Sequence, residues 1–251
     1  MRPSDIVVMR PSYEEYLAND DEPIIRFFNT EKVEKLITAP GIWFSRFDKM
    51  GDDDMEGMYY ELFSPPSLRY SAKQMSKLIE ASRHEHMPLI SCWSRPSDDS
   101  QSYMWSKYGA EPGSICCHST VGMLRASLAI DNIPACPVVY YPEAILNERV
   151  NGNRPSKMPF YVPNRIEEFI YYSTEFIKRE QFSKECEIRF ICFGRGDDMK
   201  ASGDVGCLIP FKEGARPFTR IIVQQKTDTK RIRRLQEMFD CPIEASSTAN
   251  S

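Results

Sequence analysis

The stretch Glu185-Cys186-Glu187-Ile188-Arg189-Phe190-Ile191-Cys192-Phe193 decides the fold. Its polar and apolar residues alternate with a period of two, which is typical of a β-strand with one buried face. On such a strand Glu185, Glu187 and Arg189 lie on one face. The opposite face carries Cys186, Ile188, Phe190 and Cys192. We therefore predict a strand over residues 185–193 whose apolar face packs into the core.

The charged face of this strand allows two interpretations. Two neighbouring carboxylates raise the pKa of one of them and an adjacent arginine lowers it, so such a set can do acid-base work or stabilise charge. The plainer interpretation is a half-exposed strand with surface ion pairs, which add little to stability. If the face is functional, Glu187 and Arg189 are expected to line a pocket together with Trp105 or Tyr108.

Outside this stretch, the apolar periodicity predicts helices and strands that alternate early and strands that cluster late. Further strands are predicted over 42–47, 89–94, 114–119, 138–141, 205–211, 220–224 and 242–245, with Ile221 and Val223 in the core. Helices are predicted after a cap at Asn29 or Thr30, from 98 or 100 to 108, and over 55–63, 73–83, 120–129, 166–178 and 227–239.

This pattern favours an α+β fold over a doubly wound parallel sheet. We expect one compact domain over residues 1–245, with a mixed, largely antiparallel sheet flanked by helices. Residues 246–251 are expected to form a disordered polar tail. No linker rich in Pro, Gly or Ser separates two cores.

Composition narrows the classes of function. The chain has 251 residues, of which 41% are hydrophobic, as in globular proteins, and its net charge of −4 does not favour a large nucleic-acid footprint. The basic run between 226 and 234 is expected to be the solvated face of a late helix. Neither a signal peptide nor a membrane segment is apparent, so we expect a cytoplasmic protein with reduced cysteines and no membrane partner.

Four motifs occur in a fixed order. They are Trp43-Phe44-Ser45-Arg46-Phe47-Asp48 with Asp53-Asp54-Met55-Glu56; Ser91-Cys92-Trp93-Ser94; Met104-Trp105-Ser106-Lys107-Tyr108-Gly109 with Gly113-Ser114-Ile115-Cys116; and Lys178 with Phe182 and Lys184-Glu185-Cys186-Glu187-Ile188-Arg189-Phe190. In this order and spacing they resemble the prokaryotic domain-of-unknown-function family 2971. The resemblance implies a role in mobile-element or phage-defence gene sets, and it implies no particular chemistry.

The first functional hypothesis is an enzyme that resembles ADP-ribosyltransferases, an effector or toxin that uses NAD as co-substrate. That resemblance makes Glu187 the catalytic residue, because a carboxylate can stabilise the oxocarbenium charge that develops when the nicotinamide–ribose bond breaks. On this hypothesis Glu187→Gln abolishes activity and leaves the fold intact, and no metal is expected. The residues implied in NAD binding are Arg46, Ser91 (or Ser94), Trp105, Tyr108 and Arg189.

Two other classes of function remain open. The chain can be a non-catalytic sensor or partner-binding protein whose partner is encoded in the same gene set. It can also be a metal-dependent nuclease in which Asp53, Asp54, Glu185 and Glu187 hold magnesium. The plainer interpretation of the acidic loop at 52–56 is a capped helix start. The sequence leaves the target open between a protein and a nucleic acid.

Overall fold

Most of the charged stretch lies in a long strand of the main sheet. The computed structural model of the chain describes residues 6–7, 17–50, 86–141, 176–195, 203–224 and 227–246. In it, β9 (Glu187–Arg195) pairs antiparallel with β4 (His86–Ser94) over the whole length of both strands. Ile188, Phe190 and Cys192 are fully buried, as predicted.

The remaining strands extend the sheet on both sides of this pair. The main path through the 10-stranded sheet is β1-β9-β4-β2-β5-β11-β12, and its pairs are antiparallel except β11 with β12. The other strands are β1 (Ile6–Val7), β2 (Pro23–Phe28), β3 (Gly41–Arg46), β5 (Ile115–Thr120), β6 (Ala135–Pro137), β10 (Gly206–Pro210), β11 (Arg220–Val223) and β12 (Ile243–Ala245). A separate parallel pair consists of β7 (Val139–Tyr141) and β8 (Ile177–Arg179).

In the described part of the chain, three helices lie on one face of the sheet and one helix lies on the other. We call these the Ile188 face and the Glu187 face, after the alternating residues of β9. The helices α1 (Thr30–Thr38), α3 (Val121–Ser127) and α4 (Thr229–Phe239) bury apolar residues in the core on the Ile188 face. The helix α2 (Asp98–Tyr108) packs Met104 against Ile25 and Phe27 on the Glu187 face.

This architecture confirms the predicted single α+β domain with a mixed, largely antiparallel sheet. The first helix begins as expected, because the Asn29 side chain accepts a hydrogen bond from the Lys32 N–H. Ile221 and Val223 are buried, also as expected. Ser246, which was assigned to the tail, is buried and donates its N–H to the Val223 carbonyl, so the folded chain includes this residue.

Two element predictions were wrong in part. The strand begins at Glu187, because Glu185 ends a 3-10 helix (Glu180–Glu185) and Cys186 takes a left-handed backbone conformation with φ of 44°. The helix predicted over 166–178 does not reach its predicted end, since Ile177 and Lys178 belong to β8.

Other expectations concern residues outside the described part of the chain. These are the acidic loop at 52–56, the helices at 55–63 and 73–83, most of the helix at 166–178, and residues 247–251. Among the described residues, none of the helices has the length and apolar character needed to cross a bilayer.

Candidate functional site

A buried network of charged side chains lies at the start of β9. The Glu187 carboxylate accepts hydrogen bonds from Arg189, with Nε at 3.0 Å from Oε1 and a terminal nitrogen at 3.1 Å from Oε2. The Lys178 ammonium lies 3.2 Å from Oε2 of Glu187 and 2.7 Å from Oε2 of Glu185. We call Lys107, Lys178, Glu185, Glu187 and Arg189 the charged network. Lys178 is its centre, because it bridges the two carboxylates.

Backbone geometry explains why the two glutamates meet the same lysine. Although Glu185 lies outside β9, the left-handed turn at Cys186 leaves the carboxylates of Glu185 and Glu187 within reach of one ammonium group. Lys178 is held by β8, whose partner β7 places Tyr140 beside it. The Tyr140 hydroxyl accepts a hydrogen bond from the Glu187 N–H at 2.8 Å, which ties the small parallel pair to the main sheet.

The network reaches its most exposed point at α2. The Lys107 ammonium lies 2.6 Å from Oε1 of Glu185, and the Tyr108 hydroxyl donates to the same oxygen at 3.3 Å. The Lys107 side chain is 31% exposed, whereas Lys178 and Glu187 are 3% and 4% exposed. Lys107 is therefore the more solvent-exposed end of the network, and the Glu187 carboxylate is buried.

The environment of Glu187 keeps it ionised. Burial by itself raises the pKa of this carboxyl group, yet the adjacent charges of Arg189 and Lys178 outweigh that effect and lower the pKa to about 2. The Cys92 thiol also hydrogen-bonds to the carboxylate. Burial and the charge of Glu187 raise the pKa of Cys92 well above its ordinary value, so the thiol stays protonated as a donor.

The lowered pKa of Glu187 predicts a specific loss of stability in acid. Because the folded pKa of about 2 lies below the ordinary 4.5, the ionised group stabilises the fold above about pH 4.5. That contribution is lost as the pH falls from about 4.5 towards 2, and it amounts to roughly 3 kcal/mol. Urea unfolding of wild type and Glu187→Gln at several pH values measures this contribution. The difference between their unfolding free energies should shrink by this amount as the pH falls from about 4.5 to 2. Curves that stay parallel from pH 6 to pH 2 would contradict the assignment.

The structure does not bring Arg46 and Ser91 to this network. Arg46 pairs with Leu89, which pairs with Cys192, and Ser91 pairs with Phe190. Since opposed residues of antiparallel strands point to the same side, Arg46 and Ser91 lie on the Ile188 face, opposite Glu187. The Arg46 guanidinium is already engaged by the Asp48 carboxylate, at 2.9 and 2.7 Å.

The aromatic residues of the Met-Trp motif lie on the Glu187 face with different contacts. Tyr108 joins the charged network through Glu185. Trp105 packs edge-on against Phe27, with ring centroids 4.9 Å apart, and its ring lies against Gly109, where a Cβ atom would collide with it. Trp105 therefore has the contacts of a packing residue. Tyr108 is linked to Glu187 through Glu185 and Lys178, and a pocket lined by Glu187, Arg189 and an aromatic residue of this motif stays a prediction.

These positions do not fit a single NAD site. The six residues that the resemblance implied in catalysis and NAD binding are split between the two faces of the sheet. Glu187, Arg189, Trp105 and Tyr108 lie on one side, and Arg46 and Ser91 on the other. The sheet therefore separates Arg46, which the resemblance implies in NAD binding, from Glu187, which it implies in catalysis.

Sequence reasoning missed two members of the network and one tyrosine beside it. Lys107 and Lys178 lie within the recognised motifs, but only the tertiary fold shows that both reach Glu185. Tyr140 carries no local signal, since its role depends on the pairing of β7 with β8. The chain was also compared with models of protein families and with curated proteins, and neither comparison gives a match.

Proposed function

We propose that this chain is a non-catalytic protein that binds a partner or senses a ligand, and that the charged network is a fixed part of its framework. The proposal rests on the burial of the Glu187 carboxylate and on its pairing with two cations. Both oxygens of its carboxylate are engaged by Arg189 and Lys178, and the side chain is 4% exposed. The motif resemblance suggests a mobile-element or phage-defence gene set as the biological setting.

A catalytic carboxylate for nicotinamide–ribose cleavage has different requirements. It must face a cavity that admits the ribose, and its charge must be available to the transition state. The charge of Glu187 is offset within the fold by two cations, one of which also serves Glu185. Because Arg189 and Lys178 already hold the carboxylate, Glu187 would be available to a transition state only after a substrate displaced one of these cations.

One observation favours the NAD-dependent alternative. Tyr108 and Glu187 belong to the same network, connected through Glu185 and Lys178, and the network is open to solvent at Lys107. A substrate that entered at Lys107 would first meet Glu185 and Tyr108. The enzyme hypothesis in this form assigns no role to Arg46 or Ser91.

The nuclease alternative has less support. In the nuclease hypothesis Glu185 and Glu187 hold magnesium together with Asp53 and Asp54, and the position between the two glutamate carboxylates is held by the Lys178 ammonium. A lysine supplies the positive charge that a metal would bring to two such carboxylates. Asp53 and Asp54 lie outside the described residues.

An assay of the purified wild-type chain tests the proposal. We expect no heat of NAD binding by calorimetry and no nicotinamide release from NAD, with or without added cell lysate. Release above the protein-free blank that falls in Tyr108→Phe would overturn the proposal, because this variant removes only the hydroxyl that contacts Glu185. The matched control is Tyr103→Phe on the same helix, which should leave any such activity unchanged.

A second measurement uses a host in which expression alters growth or phage sensitivity. Removing both partners of a buried ion pair is often near neutral for stability, so Glu187→Gln combined with Arg189→Met removes the pair while sparing the fold. The non-catalytic proposal predicts an unchanged phenotype when the unfolding midpoints of variant and wild type match. Loss of the phenotype at matched stability would favour the enzyme.

A further inference from the structure

Arg26 is a second unusual charge, on the side of the sheet opposite the charged network. It lies in β2, where Ile25 pairs with Ser94 of β4, and the alternation of side chains places Arg26 on the Ile188 face. Ile24 and Phe28, its neighbours on that face, are core residues. Arg26 is partly exposed as a residue, and its side chain lies among buried apolar residues.

The surroundings hold this guanidinium in place without neutralising it. One terminal nitrogen donates to the Ser91 hydroxyl, and the indole N–H of Trp93 donates to the same oxygen at 3.2 Å. The guanidinium carbon lies 5.4 Å from the ring centroid of Phe28 and 5.8 Å from that of Trp93. In the described part of the chain, Arg26 takes part in none of the salt bridges, and its bond to Ser91 is its one hydrogen bond.

This environment differs from that of the other buried arginines. Arg46 and Arg189 each face a carboxylate of the chain, whereas Arg26 faces two rings and a hydroxyl. Aromatic rings offset part of a buried positive charge, and an anion offsets all of it. Burial also lowers the pKa of Arg26, and the charge of Glu187 on the other face of the sheet offsets this only in part.

We infer that Arg26 is the centre of an oxyanion-binding site, occupied by the carboxylate or phosphate group of a small ligand. A guanidinium has five N–H donors in a planar fork that matches these groups, and Ser91 uses one of them. Arg26 is the contacting residue because it is partly exposed. Ser91 is fully buried, so it is a positioning residue that fixes the plane of the guanidinium. The site lies across the sheet from the charged network and does not depend on the proposed function.

Trp93 provides a direct readout, since its ring lies against Arg26. The chain has three tryptophans, and Trp43→Phe combined with Trp105→Phe leaves Trp93 as the only one. In this background, sodium phosphate and sodium acetate are titrated separately, with sodium chloride holding the ionic strength constant. We expect a saturable change in Trp93 fluorescence. A response to phosphate alone identifies a phosphate ligand, a response to acetate alone a carboxylate, and a response to both an unselective oxyanion site.

Variants separate this site from general salt effects. Arg26→Gln should weaken the response at least about tenfold, the loss expected for one charge-assisted hydrogen bond. Ser91→Ala should weaken it by a smaller factor, and it replaces Arg26→Gln as the test if that variant does not fold. Arg220→Gln is the control, because Arg220 is a half-buried strand arginine that already pairs with Glu244. The Trp93 fluorescence of Arg220→Gln should respond to the anions as strongly as that of the Trp43→Phe, Trp105→Phe parent.

Stability gives an independent check. The anion that changes Trp93 fluorescence should raise the unfolding midpoint of the Trp43→Phe, Trp105→Phe parent, since a ligand stabilises only the state that binds it. It should not raise the midpoint of Arg26→Gln in the same background. In anion-poor buffer, Arg26→Gln should be at least as stable as the parent, because it removes a charge that pairs with none of the carboxylates in the described part of the chain. An absent fluorescence response to both anions, or an equal response in Arg26→Gln, would overturn the inference.

Discussion

Replacing Glu187 by Gln is expected to lower the free energy of unfolding by about 3–5 kcal/mol at neutral pH. The substitution preserves the shape of the side chain and removes the negative charge that faces Arg189 and Lys178. Arg189 is fully buried, so water cannot replace the lost carboxylate. Urea unfolding followed by circular dichroism measures the change, with the denaturant slope as a check that both proteins unfold in the same way.

Glu244→Gln provides the matched control. Glu244 also lies in a strand and pairs with an arginine, Arg220 at 3.4 Å, but its side chain is 51% exposed. The same chemical change there should cost no more than about 1 kcal/mol, as is usual for exposed ion pairs. Equal costs at the two positions would show that the network adds no more than a surface pair.

This expectation differs from the one that the sequence supports. From the alternation alone, Glu187 lies on the solvent-facing side of a strand, and Glu187→Gln would spare the fold. The structure buries both faces of β9 at this point, because Lys178 of β8 and Tyr140 of β7 lie against Glu187. A period of two separates the faces of a strand, and it does not indicate whether the polar face is covered.

Local sequence signals were sufficient to predict the helices and strands that bury a single apolar face. The helix α1 follows from its Asn29 cap and the spacing of Val33, Leu36 and Ile37, all of which are buried. The apolar residues of β9 follow from alternation in the same way. In these elements propensity, capping and burial agree, so the sequence by itself identifies them.

The parts that sequence analysis missed depend on contacts between distant residues. The strand β2 was not predicted, although it lies between β4 and β5 in the middle of the sheet and carries Arg26. Its run Ile24-Ile25-Arg26-Phe27-Phe28 shows no clean alternation, because apolar residues face both sides. The left-handed turn at Cys186 also breaks the predicted register, and no glycine marks it.

The division of the predicted site between two faces has the same origin. Motif order along the chain placed Arg46 and Ser91 with Glu187, and strand register decides on which face each side chain lies. Shifting a strand by one residue would move its whole set of side chains to the other face. Pairing of Ser91 with Phe190, and of Cys92 with Arg189, fixes that choice, and neither pairing can be read from a single sequence.

Lys178→Met is expected to cost about 3–5 kcal/mol of unfolding free energy, because it removes the cation that, among the described residues, pairs with both carboxylates. Methionine keeps most of the aliphatic stem, so little packing is lost. Glu185 then retains Lys107, and Glu187 retains Arg189. Since Lys178 helps to lower the pKa of Glu187, the variant should show a Glu187 pKa above the value of about 2 in the wild type.

The pH dependence distinguishes this electrostatic loss from a packing defect. Wild type loses the stabilising contribution of Glu187 as the pH falls from about 4.5 to 2, and the variant has less to lose, so its deficit should shrink over that interval. A packing defect would leave the deficit constant. Lys212→Met is the control, because Lys212 forms an equally close pair with Asp131, at 2.8 Å, with both side chains exposed. If Lys178→Met and Lys212→Met lose the same unfolding free energy, the loss reflects ion pairing and not burial. If the loss is confined to Lys178→Met, it results from the burial of the shared cation.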